Sequence, residues 1–181
     1  MKLLVFCALS LPLLALSWRS MFSLKRHGLY RFVLFECILW LAVQNHAHLI
    51  VEEFDLQQVA SSVLMLASLV YVLAAVRTMR AKGRVSPARD DPNLFEFERT
   101  TVLVESGIFG LVRHPMYGSL LLLAWGVLLR RVEVGLIAVA VLATVAGALA
   151  AWIEEKENLA YFGESYRRYA RKTTRFIPFV I

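Results

Sequence analysis

Disulfides, interdomain linkers and the common signatures of soluble enzymes are all missing from this chain. Cysteine occurs only twice in 181 residues. Cys7 and Cys37 each lie inside an apolar run, where a small hydrophobe is the expected role and no disulfide framework is indicated. No Pro/Gly/Ser-rich stretch divides the chain, and no repeat of about 20–50 residues points to a solenoid. A P-loop, a Gly-x-Ser-x-Gly nucleophile elbow and a His-Glu-x-x-His signature are absent, which removes three familiar nucleotide and hydrolase chemistries. The balance of 20 basic to 14 acidic residues gives a formal charge of +6. A basic patch with interleaved aromatics is lacking, so no nucleic-acid partner is expected.

What the chain has instead is apolar surface. Its apolar share is 59%, with a mean hydropathy of +0.60, against roughly 45–50% apolar in soluble domains. Basic residues sit between the apolar runs, which is the pattern the positive-inside rule produces. The composition therefore predicts an all-α integral membrane protein.

Five runs are long enough to consider as spans. The first, Leu3 to Ser17, contains Pro12 and ends in a cleavage-like Ala15-Leu16-Ser17. Its basic flank (Arg19, Lys25, Arg26, Arg31) favours a retained short span over a removed signal peptide. A run under about 17 residues is marginal for a hydrocarbon core near 30 Å. The second runs from Leu29 to Val43, with Val51 as its outer limit, and carries Arg31 and Glu36. The third, Val59 to Val76, is uncharged and ends in Arg77, Arg80, Lys82, Arg84 and Arg89. A polar connection with Pro87 and Asp91-Pro92 follows, where a helix should stop. The fourth, Met116 to Leu129, and the fifth, Val134 to Ile153, are separated only by residues 130–133, which implies an antiparallel helical hairpin. Five spans, amino terminus outside and carboxyl terminus cytosolic, satisfy the charge pattern, with Arg130 and Arg131 as its one violation. After Ile153, apolar and aromatic residues at 159, 162, 166 and 169 among many arginines predict an amphipathic helix at the cytosolic interface.

Three polar clusters stand out. The first is Val104 to Ser119, a Gly-punctuated turn in which Arg113, His114 and Tyr117 surround Pro115, a good first residue for a helix. Gly107, Gly110 and Gly118 allow close backbone approach there. The second is Glu154-Glu155 at the end of the fifth span. Adjacent helical residues point about 100° apart, so one acid is expected to face Arg113 and the other solvent or Arg167. Ionisable groups beside a span are functional candidates. The third, His46 and His48 with Glu52 and Glu53, has generic spacing and reads as a solvated loop; no metal site is expected.

Ser106-Gly107-Ile108-Phe109, Arg113-His114-Pro115-Met116-Tyr117, the tight connection, Glu154-Glu155, then Leu159, Phe162-Gly163, Tyr166, Tyr169 and Arg175-Phe176-Ile177-Pro178 occur in that order. In that combination, over roughly residues 94–181, the chain resembles the isoprenylcysteine carboxyl methyltransferase family, of which phospholipid N-methyltransferases share a related version. The resemblance implies one structural unit, with residues 1–92 as three spans and a cytosolic connection, and 93–181 as a methyltransferase core. It implies S-adenosylmethionine as cofactor, contacted by Thr101, Val102, Leu103, Val104, Phe109, His114, Pro115, Met116, Tyr117 and Glu154. Arg113, His114 and Glu154 are the implied catalytic residues. Phe109 stands where the isoprenylcysteine branch has tyrosine, and Ala150 where that branch has a substrate-carboxylate arginine, so the acceptor is open among carboxylate, amine and thiol.

The residue types suit that chemistry independently. A sulfonium donor with an amino-acid head and adenosine needs a carboxylate, an aromatic wall and cationic or backbone donors. Glu154, Phe109 with Tyr117, and Arg113 with His114 offer one of each. Transfer relies on holding nucleophile and methyl close and desolvated; for an amine acceptor, His114 is the nearest candidate base. A lipid-like or small hydrophobic acceptor would enter from the bilayer, with Glu36 bordering the route or paired to Arg31. A sterol-reductase-like enzyme binding NADPH, which shares an Arg-His-Pro element, and a non-enzymatic membrane scaffold are the alternatives.

Overall fold

The computed structural model describes residues 1–18, 20–21, 26–50, 55–83 and 101–178. Arg19 and Lys25, the acids Glu52 and Glu53, the connection carrying Arg84, Pro87, Arg89 and Asp91-Pro92, and the boundary at 92/93 lie outside the described residues. Among those described the protein is all-helical: α1 (Lys2–Ser17), α2 (His27–Asn45), α3 (Leu56–Lys82), α4 (Pro115–Leu128), α5 (Val134–Phe162) and α6 (Glu164–Lys172). The first five occupy the five apolar runs. Two, α3 and α5, are long and apolar enough to cross a membrane, whereas α1 and α4 are shorter apolar helices.

Helix boundaries follow local chemistry. Asp55 caps α3 by accepting from the Gln58 N–H at 2.7 Å. Pro115 opens α4 at a position where its missing N–H costs nothing. α5 runs on past the apolar stretch to Phe162 and stops at Gly163, whose φ of +59° favours glycine. The amphipathic segment is thus broken in two: Leu159 and Phe162 end α5, and only Tyr166 and Tyr169 form the buried stripe of α6 between exposed arginines.

The core is built where α2, α4 and α5 meet. Ala140, Ala143, Ala146, Gly147, Ala150 and Ala151 form the buried face of α5 against the larger Leu34 and Leu41 of α2. Small residues let helix backbones approach closely, the usual means of packing helices in lipid. α3 docks on α4 in the same way: a Cβ on Gly126 would meet Met65 Cγ at 2.7 Å, and Ser61 Oγ donates to the Gly126 carbonyl at 2.6 Å. Leu66, Leu69, Val70 and Leu73 of α3 and Val141, Leu142 and Val145 of α5 remain exposed, as bilayer-facing surfaces require. α1 lies on α2 through an edge-to-face Phe6–Trp40 contact and a bond from Ser10 Oγ to Glu36. Glu36 therefore ties α1 to α2.

The charge-rule exception also has a structural reason. Arg130 is only 7% exposed and donates to Gln58 Oε1 and Ser62 Oγ, both at 3.1 Å, while Gln58 Nε2 returns a bond to the Arg130 carbonyl. It clamps the start of α3 to the end of α4, so its charge is engaged by protein acceptors. Beside it, Asn45 at the end of α2 donates to the Val127 carbonyl at 2.9 Å. Arg130→Ala is expected to cost roughly 1.5–3 kcal/mol, the scale of hydrogen bonds to a charged group. The thermal midpoint in detergent checks this, and an Arg131→Ala variant, removing an exposed arginine paired with Glu133, should barely move it.

Candidate functional site

At the opposite end of the bundle, the start of α2, the end of α3, the start of α4 and the end of α5 come together. A 3-10 turn at Gly107–Gly110 leads into α4. Gly107 has φ of +62°, and a Cβ there would meet Thr78 Oγ1 of α3 at 2.6 Å, so both conformation and space call for glycine. Residues 111–114 then run parallel to the carboxyl-terminal tail. Arg113 N–H donates to the Thr174 carbonyl at 2.8 Å, His114 N–H to the Arg175 carbonyl at 3.0 Å, and Thr174 N–H to the Leu111 carbonyl at 3.2 Å. This short ladder holds Arg113 and His114 rigidly above the end of α5.

The arginine and the acids interlock there. Arg113 Nε donates to Glu155 Oε1 at 2.9 Å and its Nη1 to the Ala170 carbonyl at 2.9 Å and to the Thr173 carbonyl. It thereby caps the last turn of α6, where unpaired carbonyls favour a cation. Arg175 from the tail grips the same carboxylate, with Nη2 at 3.1 Å from Glu155 Oε2. His114 stands between the two acids, Nε2 3.4 Å from Glu155 and Nδ1 3.9 Å from Glu154. Tyr117, in the first turn of α4, acts on Glu154 from beside it, favouring the carboxyl's charged form.

Around this centre the phenols stay neutral. Burial, reinforced by Glu154 and Glu155, holds the Tyr166 hydroxyl well above its ordinary range; burial does the same for Tyr169 against the opposing charge of Arg113. Tyr169 uses its proton to donate to the Phe109 carbonyl at 2.7 Å, pinning the 3-10 turn to α6. Phe176 and Tyr117 flank the His114 ring, with centroids at 6.2 and 5.8 Å.

Of the residues singled out in sequence, Arg113, His114, Tyr117 and Glu154 converge here. Pro115 is fully buried and Met116 partly buried beside them. Phe109 joins through its backbone. Thr101 to Val104 precede the turn as non-helical chain, with Val104 buried and Val102 exposed. Of the two acids, Glu155 is the one that faces Arg113; Glu154 faces His114, and Arg167 pairs with Glu164 at 3.0 Å. Arg113 therefore positions α6 and the tail, with two of its nitrogens already committed to protein acceptors.

Other members were not visible in sequence. Arg175 lay in a recognisable Arg-Phe-Ile-Pro string but far from the acids it meets. The start of α2 contributes His27, 2.6 Å from Glu157, and the charge of Arg31, which acts on Glu154. An influence from one helix on another of this kind leaves no local periodic trace in the sequence.

Comparison with known proteins is consistent with this geometry. A family model described as phospholipid methyltransferase matches residues 56–165, the related family that the sequence reading set beside the isoprenylcysteine enzymes. No curated protein and no solved structure matches the chain. The matched stretch contains Arg113, His114, Glu154, Glu155 and Glu157, but neither His27 nor Arg175.

The two adjacent acids should behave differently. Glu155→Gln is expected to cost on the order of 2–3 kcal/mol, chiefly through the largely buried Arg113 pair, since Arg175 is 43% exposed and screened. It should also free the tail after Lys172 for proteolysis. Glu154→Gln should leave the tail docked; equal protease sensitivity of the two variants would contradict the latch.

Proposed function

The chain belongs to the phospholipid methyltransferase family, and from that premise we propose that it is an S-adenosylmethionine-dependent, multi-pass membrane methyltransferase with its cofactor site at the cytosolic end of the bundle. The carrying observation is the meeting of His114 and Tyr117 with Glu154 from segments 40 and 37 positions away. In this reading the chain crosses the bilayer five times, with α4 and α5 as an antiparallel hairpin, the amino terminus outside and the carboxyl terminus cytosolic. The placement of α6 at the same end as the acids supports it.

The residues fit the cofactor. Glu155 is saturated by Arg113, Arg175 and His114, whereas Glu154, with about a quarter of its side chain exposed, keeps acceptor capacity for a ribose or ammonium. When bound, the sulfonium supplies an electrophilic methyl group. Phe109 and Tyr117 provide the aromatic wall that a sulfonium favours. His114 is the cationic or neutral donor nearest a cofactor carboxylate, and Thr101 to Val104 with Pro115 and Met116 supply backbone around the adenosine. Arg113 orients these groups rather than binding the donor alone.

The acceptor is a lipid-like or small hydrophobic molecule entering laterally from the bilayer, surrounded by membrane lipids. Ala150 is fully buried within the helix core, a position without room for the substrate-binding arginine of the isoprenylcysteine branch. This favours a phospholipid-type acceptor over a prenylcysteine. The family match likewise favours transfer over the NADPH-reductase and scaffold alternatives.

Calorimetry on purified protein tests the reading. Saturable S-adenosylmethionine binding is expected, weakened more than about tenfold in Glu154→Gln, the scale of one lost charge-assisted hydrogen bond. Binding of NADPH without any response to S-adenosylmethionine would reject it.

A further inference from the structure

One polar pair next to this centre has not been used. His27, the first residue of α2, is fully buried, and its Nδ1 lies 2.6 Å from Glu157 Oε2. Its Nε2 is buried and has no hydrogen-bond partner among the described residues. A carboxylate on one ring nitrogen fixes the tautomer and leaves the other nitrogen bare in the neutral ring, which is the arrangement that makes an imidazole a directed base. Glu157 and Glu154 are three residues apart on α5 and so share a face, which sets the pair beside the Glu154 site. Glu154 and Arg31 both act electrostatically on His27. Arg26, 43% exposed, reaches Glu157 at 3.7 Å and marks the water side of the pair.

His114 has a carboxylate facing each ring nitrogen, Glu154 at 3.9 Å and Glu155 at 3.4 Å, whereas His27 has one only at Nδ1. We infer that His27, oriented by Glu157, is the proton acceptor for a methyl acceptor that arrives as an ammonium group. This rests on the methyltransferase reading above. The ammonium N–H gives its proton to His27 Nε2. The freed nitrogen lone pair forms the new N–C bond as the methyl C–S bond breaks, and that bond's electron pair stays on sulfur in the departing thioether. When the product departs the proton leaves Nε2 to water, while Nδ1–H stays bound to Glu157, which is 17% exposed, so the ring returns to its starting tautomer. His27 falls outside the matched family segment, so its role is additional to the motif residues.

The test uses the full chain in phosphatidylcholine nanodiscs with ¹⁵N-labelled histidine. The neutral His27 ring is expected to carry its proton on Nδ1 and to take up its second proton as the pH is lowered, with that tautomer preference lost in Glu157→Gln. The groups facing the ring, Glu157 and Glu154 of α5 and Arg31 of α2, with Arg26 behind Glu157, are left intact in His27→Gln. That variant should bind S-adenosylmethionine within about threefold of wild type while methyl transfer to phosphatidylethanolamine or octadecylamine falls on the order of 10²–10³-fold at pH 7. The rate should recover as pH rises toward the amine's own pKa, which loss of a merely structural tie would not produce. A wild-type rate and pH profile in His27→Gln, an Nε2-protonated neutral ring, or no transfer by wild type to either amine overturns the inference. If His27→Gln does not fold, the wild-type titration decides. Failure of wild type to bind S-adenosylmethionine removes the methyltransferase reading as well, whereas normal binding with an unaltered His27→Gln profile removes this inference alone.

Discussion

Three segments far apart in the chain share one carboxylate. Glu155, at the end of α5, accepts from Arg113 ahead of α4 and from Arg175 in the tail, and Arg113 in turn caps α6. A carboxylate of this kind is costly to bury alone and favourable only when its lone pairs are filled. That condition closes the end of the bundle: the tail must lie along residues 111–114 for Arg175 to arrive, and α6 must fold back for its carbonyls to meet Arg113. His114 and Tyr117 acquire their positions over α5 as a consequence.

The end of α5 divides its acids by direction. Glu155 points to the latch and is filled by protein donors. Glu154, about 100° around the helix, meets His114 and Tyr117 and keeps room for a ligand. Glu157, one turn on from Glu154, meets the start of α2. Glu154, Glu155 and Glu157 fall within one turn of α5 and repel one another. Each acid is accompanied by a cation or imidazole from another element, so the repulsion is offset only in the assembled fold. The same compensation makes the site sensitive to removal of any one partner.

Much of this was legible because it is local. Pro115 after a glycine-rich turn, uncharged runs bounded by arginines, and paired acids at a span end are features of short windows, and the helices fall on them. Glu154 was placed correctly beside His114 because motif order brought both to one end. The choice between Glu154 and Glu155 as the partner of Arg113 was not legible, since helical periodicity gives an angle but not the neighbour waiting there. His27 and Glu157 are 130 positions apart and belong to helices whose approach depends on the alanine-rich face of α5. Arg130 binds Gln58 and Ser62 inside the protein, a pairing that charge counting along the sequence does not see.

The two ends of the bundle solve different problems with similar means. At one, Arg130 and Asn45 donate to amide, hydroxyl and backbone acceptors, and these bonds hold α2, α3 and α4 in register. At the other, Glu155 and Arg113 consume each other, but Glu154 and the Nε2 of His27 keep unfilled capacity. In a low-dielectric setting, a polar atom left without a partner costs free energy that packing alone would remove. Such atoms occur at both ends, as Asn45 Oδ1 and Arg130 Nε at the first and as His27 Nε2 and His114 Nε2 at the second; only at the second do they stand among clustered carboxylates and arginines, where a polar ligand would meet donors and acceptors together.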